Sequence, residues 1–393
     1  TIGEGSIDKN PEQDSYYYDN TVELTATPEI GWVFDHWEGA TGNTNPKYIT
    51  IKRNRNITAV FVNIPYTINT TTIGEGSIDK NPEQDSYYYD NTVELTATPE
   101  IGWVFDHWEG DLTGNANPED ITIDGNKNIT AVFNENDIKF ANIGDYGLAG
   151  INEAQVAQLI KRQGVDVIIT TGDNNYPVGA ASTIDANVGQ YYSEYIGNYK
   201  GSYGVGSPTN RFYPIPGNHD HNSTLQPYLD YFSLTAIDGY SYYDFIKAGI
   251  HFFCLDTKYA GIDNKQMQCF TEAVNNSTAK LKVAVIHYCP YSSGSTHGSI
   301  TEVQLPFKEL GIKLVLSGHD HLYERLEIND VTYIVNGIGG GPRYGFGTPI
   351  QGSKFRYNAT YGAVFMEGNA DKLELKFIDV NNQLIDNCII MPN

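Results

Sequence analysis

Cysteine is scarce: the 393 residues hold four, Cys254, Cys269, Cys289 and Cys388, and no two of them form a C-x-x-C pair. Buried free thiols fit that scatter better than a disulfide, and cysteine leaves the compartment open. Long apolar runs are missing too. None approaches the roughly 18 residues that a membrane helix requires, which excludes a helical transmembrane segment. Positive charge is short, with 25 Lys and Arg against 48 Asp and Glu, a formal net charge of −23. A surface of that sign repels polyanions and excludes nucleic acid as a partner, while it suits solubility, salty surroundings or loose calcium binding. No signal peptide is visible, because the first residues already read as folded chain. The apolar fraction of 40% and the aromatic fraction of 12% can fill the cores of two or three domains.

The first 134 residues are a tandem repeat. Thr1-Ile-Gly-Glu-Gly-Ser-Ile-Asp-Lys9 returns as Thr72 to Lys80, and Gly31-Trp-Val-Phe-Asp-His-Trp-Glu-Gly39 returns as Gly102 to Gly110. The closing Asn56-Ile-Thr-Ala-Val-Phe61 returns as Asn128 to Phe133, and all four tryptophans sit in these copies. Residues 1–134 also carry 22 acids and 7 bases, so −15 of the −23 belongs to them. Alternation in Thr21-Val-Glu-Leu-Thr-Ala26, with Gly and Asn-Pro turns between such runs, predicts short strands. Tyr66 to Thr71 precedes the second copy and has no counterpart before Thr1, so the natural chain is expected to extend upstream. The expected domains are an N-terminally incomplete repeat over 1–65, a second repeat over 66–135, and a different kind of domain over 136–393. His36 and His107, each between aromatics with no second histidine near, read as packed structural residues rather than ligands.

The G-W-V-F-D-H-W-E-G signature and its closing strand resemble the divergent internalin-type B repeats of bacterial surface proteins. That resemblance implies an extracellular, secreted or cell-surface bacterial protein whose repeats contact a cell surface or polysaccharide.

From Asp137 the texture changes. Ile138–Gly144 and Val165–Thr170 read as strands, the second buried on both faces, with helical spacing from Glu153 to Ile160 between them. Further buried strands are expected at 250–255, 281–286 and 314–316, helices at 182–197, 264–276 and 301–310, and strands at 331–335, 363–367 and 373–378. Alternating elements with a strand-rich end argue for a layered α/β fold whose chemistry lies on loops at the strand ends.

Five polar clusters follow apolar strands: Gly144-Asp145-Tyr146-Gly147, Gly172-Asp173-Asn174-Asn175-Tyr176, Gly217-Asn218-His219-Asp220, Ile286-His287-Tyr288, and Gly318-His319-Asp320-His321. A strand ending in Gly-Asp is commonplace, but core packing does not require five such clusters. Asp, Asn and His are ligands for divalent and trivalent ions, and two adjacent cations can clamp the entering and leaving oxygens of a phosphoryl transfer.

This series resembles the calcineurin-type metallophosphoesterases, and more closely the purple acid phosphatases, over about 138–380. Most relatives begin with Asp-x-His; here Gly147 stands at the histidine position and Tyr176 in Gly-Asp-x-x-Tyr replaces it, as in purple acid phosphatases. The resemblance implies a four-layer αββα sandwich with two metal ions at the strand ends. Asp145, Asp173, Tyr176 and His321 would hold the first, Asp173 would bridge, and Asn218, His287 and His319 would complete the second. A hard phenolate donor implies Fe(III) at the first position, with Fe(II), zinc or manganese at the second. The implied reaction is hydrolysis of a phosphate monoester by metal-bound hydroxide, with His219 touching phosphate and His297 protonating the leaving alcohol.

His221 and Arg343 are further candidates for substrate contact, Arg343 from a tight Gly339-Gly-Gly-Pro-Arg343 loop that lacks a Walker pattern; His251 reads as structural. Two rival functions stay open: a phosphodiesterase or nucleotidase on the same fold, and a surface adhesin with a vestigial catalytic domain, against which stands the filling of every ligand position.

Overall fold

Alternating apolar residues decide which face each repeat strand buries. In Thr21–Pro28, Val22, Leu24 and Ala26 point inward and their neighbours outward; Thr92–Pro99 repeats this with Val93, Leu95 and Ala97. The computed structural model describes residues 1–222 and 224–392, apart from the side chain of Tyr259, and divides into Thr1–Asn134 and a second unit beginning at Glu135.

Each repeat has a three-stranded antiparallel sheet, Gly5–Asn10, Thr21–Pro28 and Lys47–Thr50 in the first, Gly76–Asn81, Thr92–Pro99 and Glu119–Thr122 in the second. Against it lies a second sheet around a buried tryptophan. The indoles of Trp37 and Trp108, 2% and 1% exposed, donate to the carbonyls of Thr44 and Ala116. In the first repeat that sheet has two strands, Trp32–Glu38 and Thr58–Asn63; in the second, Ile68–Ile73 adds a third, parallel to Lys127–Glu135 beside Trp103–Gly110.

The second unit holds two mixed sheets. The six-stranded sheet runs Phe212–Tyr213, Val167–Thr170, Ile138–Ile143, Gly362–Asn369, Lys372–Asp379, Leu384–Ile390, its first three strands parallel and the rest antiparallel. The seven-stranded sheet runs Tyr243–Lys247, Ile250–Cys254, Leu281–Val285, Leu314–Ser317, Val331–Asn336, Tyr323–Ile328, Ser353–Tyr357, with a parallel centre. The sheets face each other: Phe140 meets Phe252 with ring centroids 5.1 Å apart, and Tyr323 stacks on Phe377 at 4.1 Å. On the outer faces, helix Ile151–Gln163 covers Ala141, Ile143 and Ile168, and helix Asn264–Asn276 covers Phe253, Ala284 and Val315.

One expected helix is absent and another is helical but irregular. Over 301–310 only a 3₁₀ turn forms, Thr301–Val303, because Pro306 cannot donate and pushes Leu305 out of helical geometry. The 182–197 segment breaks into a π turn (Asp185–Gly189) and two single turns, with Asp185 instead accepting from Tyr199, Tyr231 and Ser202. Strands Tyr243–Lys247, Tyr323–Ile328, Ser353–Tyr357 and Leu384–Ile390 were not expected from the sequence. All four cysteines are free, as expected, with Cys254 and Cys289 buried.

Candidate metal centre

Loops from both sheets bring the five clusters together. Asp145 follows Ile138–Ile143, Asp173 and Tyr176 follow Val167–Thr170, and Asn218 opens the helical turn Asn218–His221 beyond Phe212–Tyr213. From the other sheet, His287 follows Leu281–Val285, and His319 and His321 follow Leu314–Ser317.

One ligand atom each from Asp145, Asp173 and His321 lie within 4.8 Å of one another, and all three residues are buried. The Tyr176 hydroxyl joins them, 3.0 Å from Asp173 Oδ2, 3.2 Å from His321 Nε2 and 3.5 Å from Asp145 Oδ1. On the other side of Asp173, His287 Nε2 stands 3.6 Å from Asp173 Oδ1 and 2.9 Å from Asn218 Oδ1. The His319 and His287 rings are 5.0 Å apart. Asp173 therefore lies between two groups of donors.

The backbone is bent to make this arrangement. Asp145, Asp173 and His319 have φ of 54°, 53° and 65°, left-handed values that Asp and His adopt more readily than most side-chain-bearing residues. The His219 N–H donates to Asp173 Oδ1 at 2.9 Å, and the His319 N–H to Asp145 Oδ2 at 2.8 Å. Glycine makes room: a Cβ on Gly217 would lie 2.2 Å from Asp173 Oδ1, and one on Gly318 2.6 Å from Asp145 Oδ2.

Three imidazoles are aimed by main-chain carbonyls. Nδ1–H of His287 donates to Thr171 O at 2.8 Å, that of His219 to Pro177 O at 2.6 Å, and that of His321 to Pro342 O. Each leaves Nε2 as the lone-pair nitrogen, the second-sphere pattern that orients metal-binding histidines.

Electrostatics test whether cations fit. Burial, then Asp145 and Asp173, pushes the Tyr176 phenol well above its usual range. Burial also raises Asp173; His287 opposes the shift and Asp145 adds to it. Burial and neighbouring imidazoles push His319 far down, leaving it neutral. Burial lowers His321 but Asp145 more than offsets it, for a net rise. Among the described residues the ion-pair partners of Asp145 and Asp173 are imidazoles only. Two buried carboxylates, a phenol and converging imidazole nitrogens without lysine or arginine fit metal ions, whose charge would favour the ionised donors.

The remaining candidates divide. The His219 ring lies 4.4 Å from that of Tyr176, its Nε2 3.9 Å from Asp173 Oδ2, and the His297 ring lies 4.0 Å from that of His319. His221 is turned into a buried pair with Asp256, 2.9 Å, which also accepts from Ser241 and Lys258 N–H. Arg343 donates to the carbonyls of Asn358 and Ala359. His251 is buried between Ser277 and Asp244, as a structural histidine. His36 and His107 are not packed: their side chains are 45% and 39% exposed and bond to Asp35 and Asp106. Sequence reasoning missed Tyr344, stacked on His321 at 4.1 Å and 8°, and Tyr288, 4.4 Å from His319. Tyr344 stands in no motif and no local signal marks it, whereas Tyr288 stands in the Ile286-His287-Tyr288 cluster without a role having been read for it.

Comparison with known proteins bears on the same regions. Residues 138–323 match the calcineurin-like phosphoesterase family, and residues 1–65 and 66–137 each match the divergent InlB B-repeat domain. The chain is 25% identical over 291 residues to purple acid phosphatase 17 of Arabidopsis thaliana, spanning 63% of this chain and 82% of that one. Purple acid phosphatase 3 of the same plant is 24% identical over 284 residues, 61% of this chain and 74% of its own. In fold the chain is similar to purple acid phosphatase PPD1 from yellow lupin (Lupinus luteus) seeds, with a TM-score of 0.56 at 14% identity, covering 95% of this chain and 73% of that one. It is also similar to GAP50, the anchor in the inner membrane complex of Plasmodium, with a TM-score of 0.51 at 19% identity over 65% of this chain and 89% of that one.

Proposed function

We propose that this chain, whose residues 138–323 form a calcineurin-like phosphoesterase domain, hydrolyses phosphate monoesters at a dinuclear centre of the purple acid phosphatase kind. The observation that carries the reading is the Tyr176 hydroxyl, 3.0 Å from Asp173 Oδ2 and 3.2 Å from His321 Nε2, at a site where Gly147 leaves no histidine.

Asp145, Asp173, Tyr176 and His321 would hold one cation, and Asn218, His287 and His319 with a shared Asp173 the other. A phenolate and two carboxylates favour Fe(III) at the first position; Fe(II), zinc or manganese suits the imidazole-rich second. Bound there, the two ions would supply charge for the phosphoryl oxygens and acidify the attacking water. The chain's own residues do the rest. His219, its Nδ1–H held by Pro177 O, presents Nε2 toward phosphate beside Tyr176. His297, over His319, delivers the proton to the leaving alkoxide. Tyr344 and Tyr288 wall the centre with rings that limit water. The acidic repeats, matching the divergent InlB B-repeat domain, support an extracellular or cell-surface setting in which they act as spacer or contact module. Among the described residues no helix is long and apolar enough to cross a membrane.

The test is the visible absorption spectrum, with iron and second-metal content measured on the same sample. A tyrosinate-to-iron band that disappears in Tyr176→Phe is expected. A colourless, active protein with two zinc or manganese ions, indifferent to that substitution, would remove the iron–tyrosinate assignment. Monoester turnover well above that of bis(4-nitrophenyl) phosphate is expected as well, and the reverse would move the reading to a phosphodiesterase.

A further inference from the structure

His297 comes from the loop 291–298, which has no regular secondary structure to hold it. Backbone bonds of Ser293 and Ser295 to Gly347 and Gly345 hold its middle, and a side chain on another segment holds its His297 end. We propose that Asp320, the residue between His319 and His321, is the positioning residue that sets His297 for proton delivery; this rests on the acid role given to His297 above.

Asp320 is fully buried, and its two oxygens take three donors from that loop. Oδ2 accepts from Ser292 Oγ at 2.6 Å and from the Gly298 N–H at 2.9 Å, while Oδ1 accepts from the His297 N–H at 3.2 Å. Ser292 Oγ in turn accepts from the Gly294 N–H at 3.0 Å. The approach is so close that a Cβ on Gly294 would lie 2.3 Å from Asp320 Oδ2. A second buried carboxylate, Glu324, takes the Ser293 N–H and Ser293 Oγ, both at 2.6 Å. Only an acceptor at both oxygens satisfies this set; a carboxamide turns its NH₂ toward at least one N–H. Because Asp320 shares a backbone segment with two of the proposed ligands, the carboxylate ties the height of His297 to the position of the centre. A role confined to loop stability would not depend on the leaving group, whereas positioning an acid does.

The experiment compares kcat on 4-nitrophenyl phosphate, whose phenolate departs without a proton, and ethyl phosphate, whose alkoxide needs one. The proteins are the full-length wild type, Asp320→Asn, Ser292→Ala, His297→Ala and the double variant Asp320→Asn/His297→Ala, with metal content determined on each. Asp320→Asn and Ser292→Ala are expected to slow ethyl phosphate at least about tenfold, part of the range general acids contribute, with little change on the nitrophenyl ester and metals retained. The double variant should be no slower than His297→Ala alone. An unchanged ratio between the two esters, or losses that multiply in the double variant, overturns the proposal. Should Asp320→Asn shed metal, Ser292→Ala, which alters only the loop side of the network, is judged by the same ratio. If His297→Ala itself slows both esters equally, the acid role falls and the proposal with it. If only the Asp320 and Ser292 variants lack selectivity, the acid role stands and the positioning claim alone is lost.

Discussion

The repeats and the second unit use their interiors differently. Buried residues of the repeats are apolar or aromatic, packed around Trp37 and Trp108; every buried polar or charged residue recorded among the described positions lies at Asn142 or later. The second unit buries Asp145, Asp173, Asn174, Asp220, His287 and His319 at one end and holds three non-glycine residues there in left-handed geometry. Burying such groups opposes folding unless they are paired. The difference teaches where function sits: the repeats put burial wholly into stability, and the second unit gives part of it up around its centre.

That contrast can be broken from either side. The largest expected effect is structural. Trp108→Ala should remove about 3–5 kcal/mol from the repeat unit in a denaturant melt. Turnover of 4-nitrophenyl phosphate should stay unchanged, and a parallel loss of turnover would end the separation of roles. From the other side, Asp173→Asn should lower kcat by about 10²–10³-fold, the scale of losing one pre-organised electrostatic group. The same change should raise the melting temperature of the metal-free protein, since it removes a buried charge beside Asp145; an unchanged or lower value contradicts the cost assigned to the site.

The smallest effect sharpens the picture. Glu153 is fully buried, neither of its oxygens makes a well-formed hydrogen bond, and burial, against a smaller pull from the Leu148 N–H, pushes its carboxyl well above the ordinary glutamate value of 4.5. A raised carboxyl means that the folded chain holds the proton more tightly than the unfolded one, so stability falls as pH rises above that ordinary value. Glu153→Met should therefore stabilise the protein by about 1–3 kcal/mol at pH 7.5, the cost of an unpartnered buried group, and by less as the pH is lowered toward 4.5. Urea melts at two pH values check this, and a gain independent of pH contradicts it.

Local patterns carried the sequence reading as far as they reach. The repeat was legible because Thr1–Lys9 recurs unchanged, and the five clusters because each places a donor within a few residues of an apolar run, four of them beside glycine. Helix Asn264–Asn276 matched its expected span, since its apolar spacing and the Asp263 cap are both local. Strand Tyr243–Lys247 escaped notice because its exposure alternates on a sheet edge and its inner residues are only half-buried. Pairings across the chain were out of reach: His221 with Asp256, Tyr344 with His321, and Asp320 with Ser292 join segments that only folding brings together. His36 and His107 misled because flanking aromatics suggested packing, whereas each lies partly exposed beside a buried tryptophan, and in the first repeat a register shift between Phe34 and His36 brings Trp37 into the core in place of the histidine.

One feature of the centre reaches into the life of the newly made chain. Asp145, Asp173 and Asn218 ride on one sheet, His287, His319 and His321 on the other, and the two halves are separate in sequence. A nascent polypeptide that has emerged only through Asn218–His221 would offer Asp145, Asp173 and Asn218 without His287, His319 and His321, a loose trap for any passing hard cation. On the proposed ligand set, tight capture would wait until Gly362–Asn369, Lys372–Asp379 and Leu384–Ile390 complete the first sheet and the two sheets close face to face. Metal uptake at the proposed centre would thus be a certificate of completed assembly, issued only when both halves of the sandwich are present and docked.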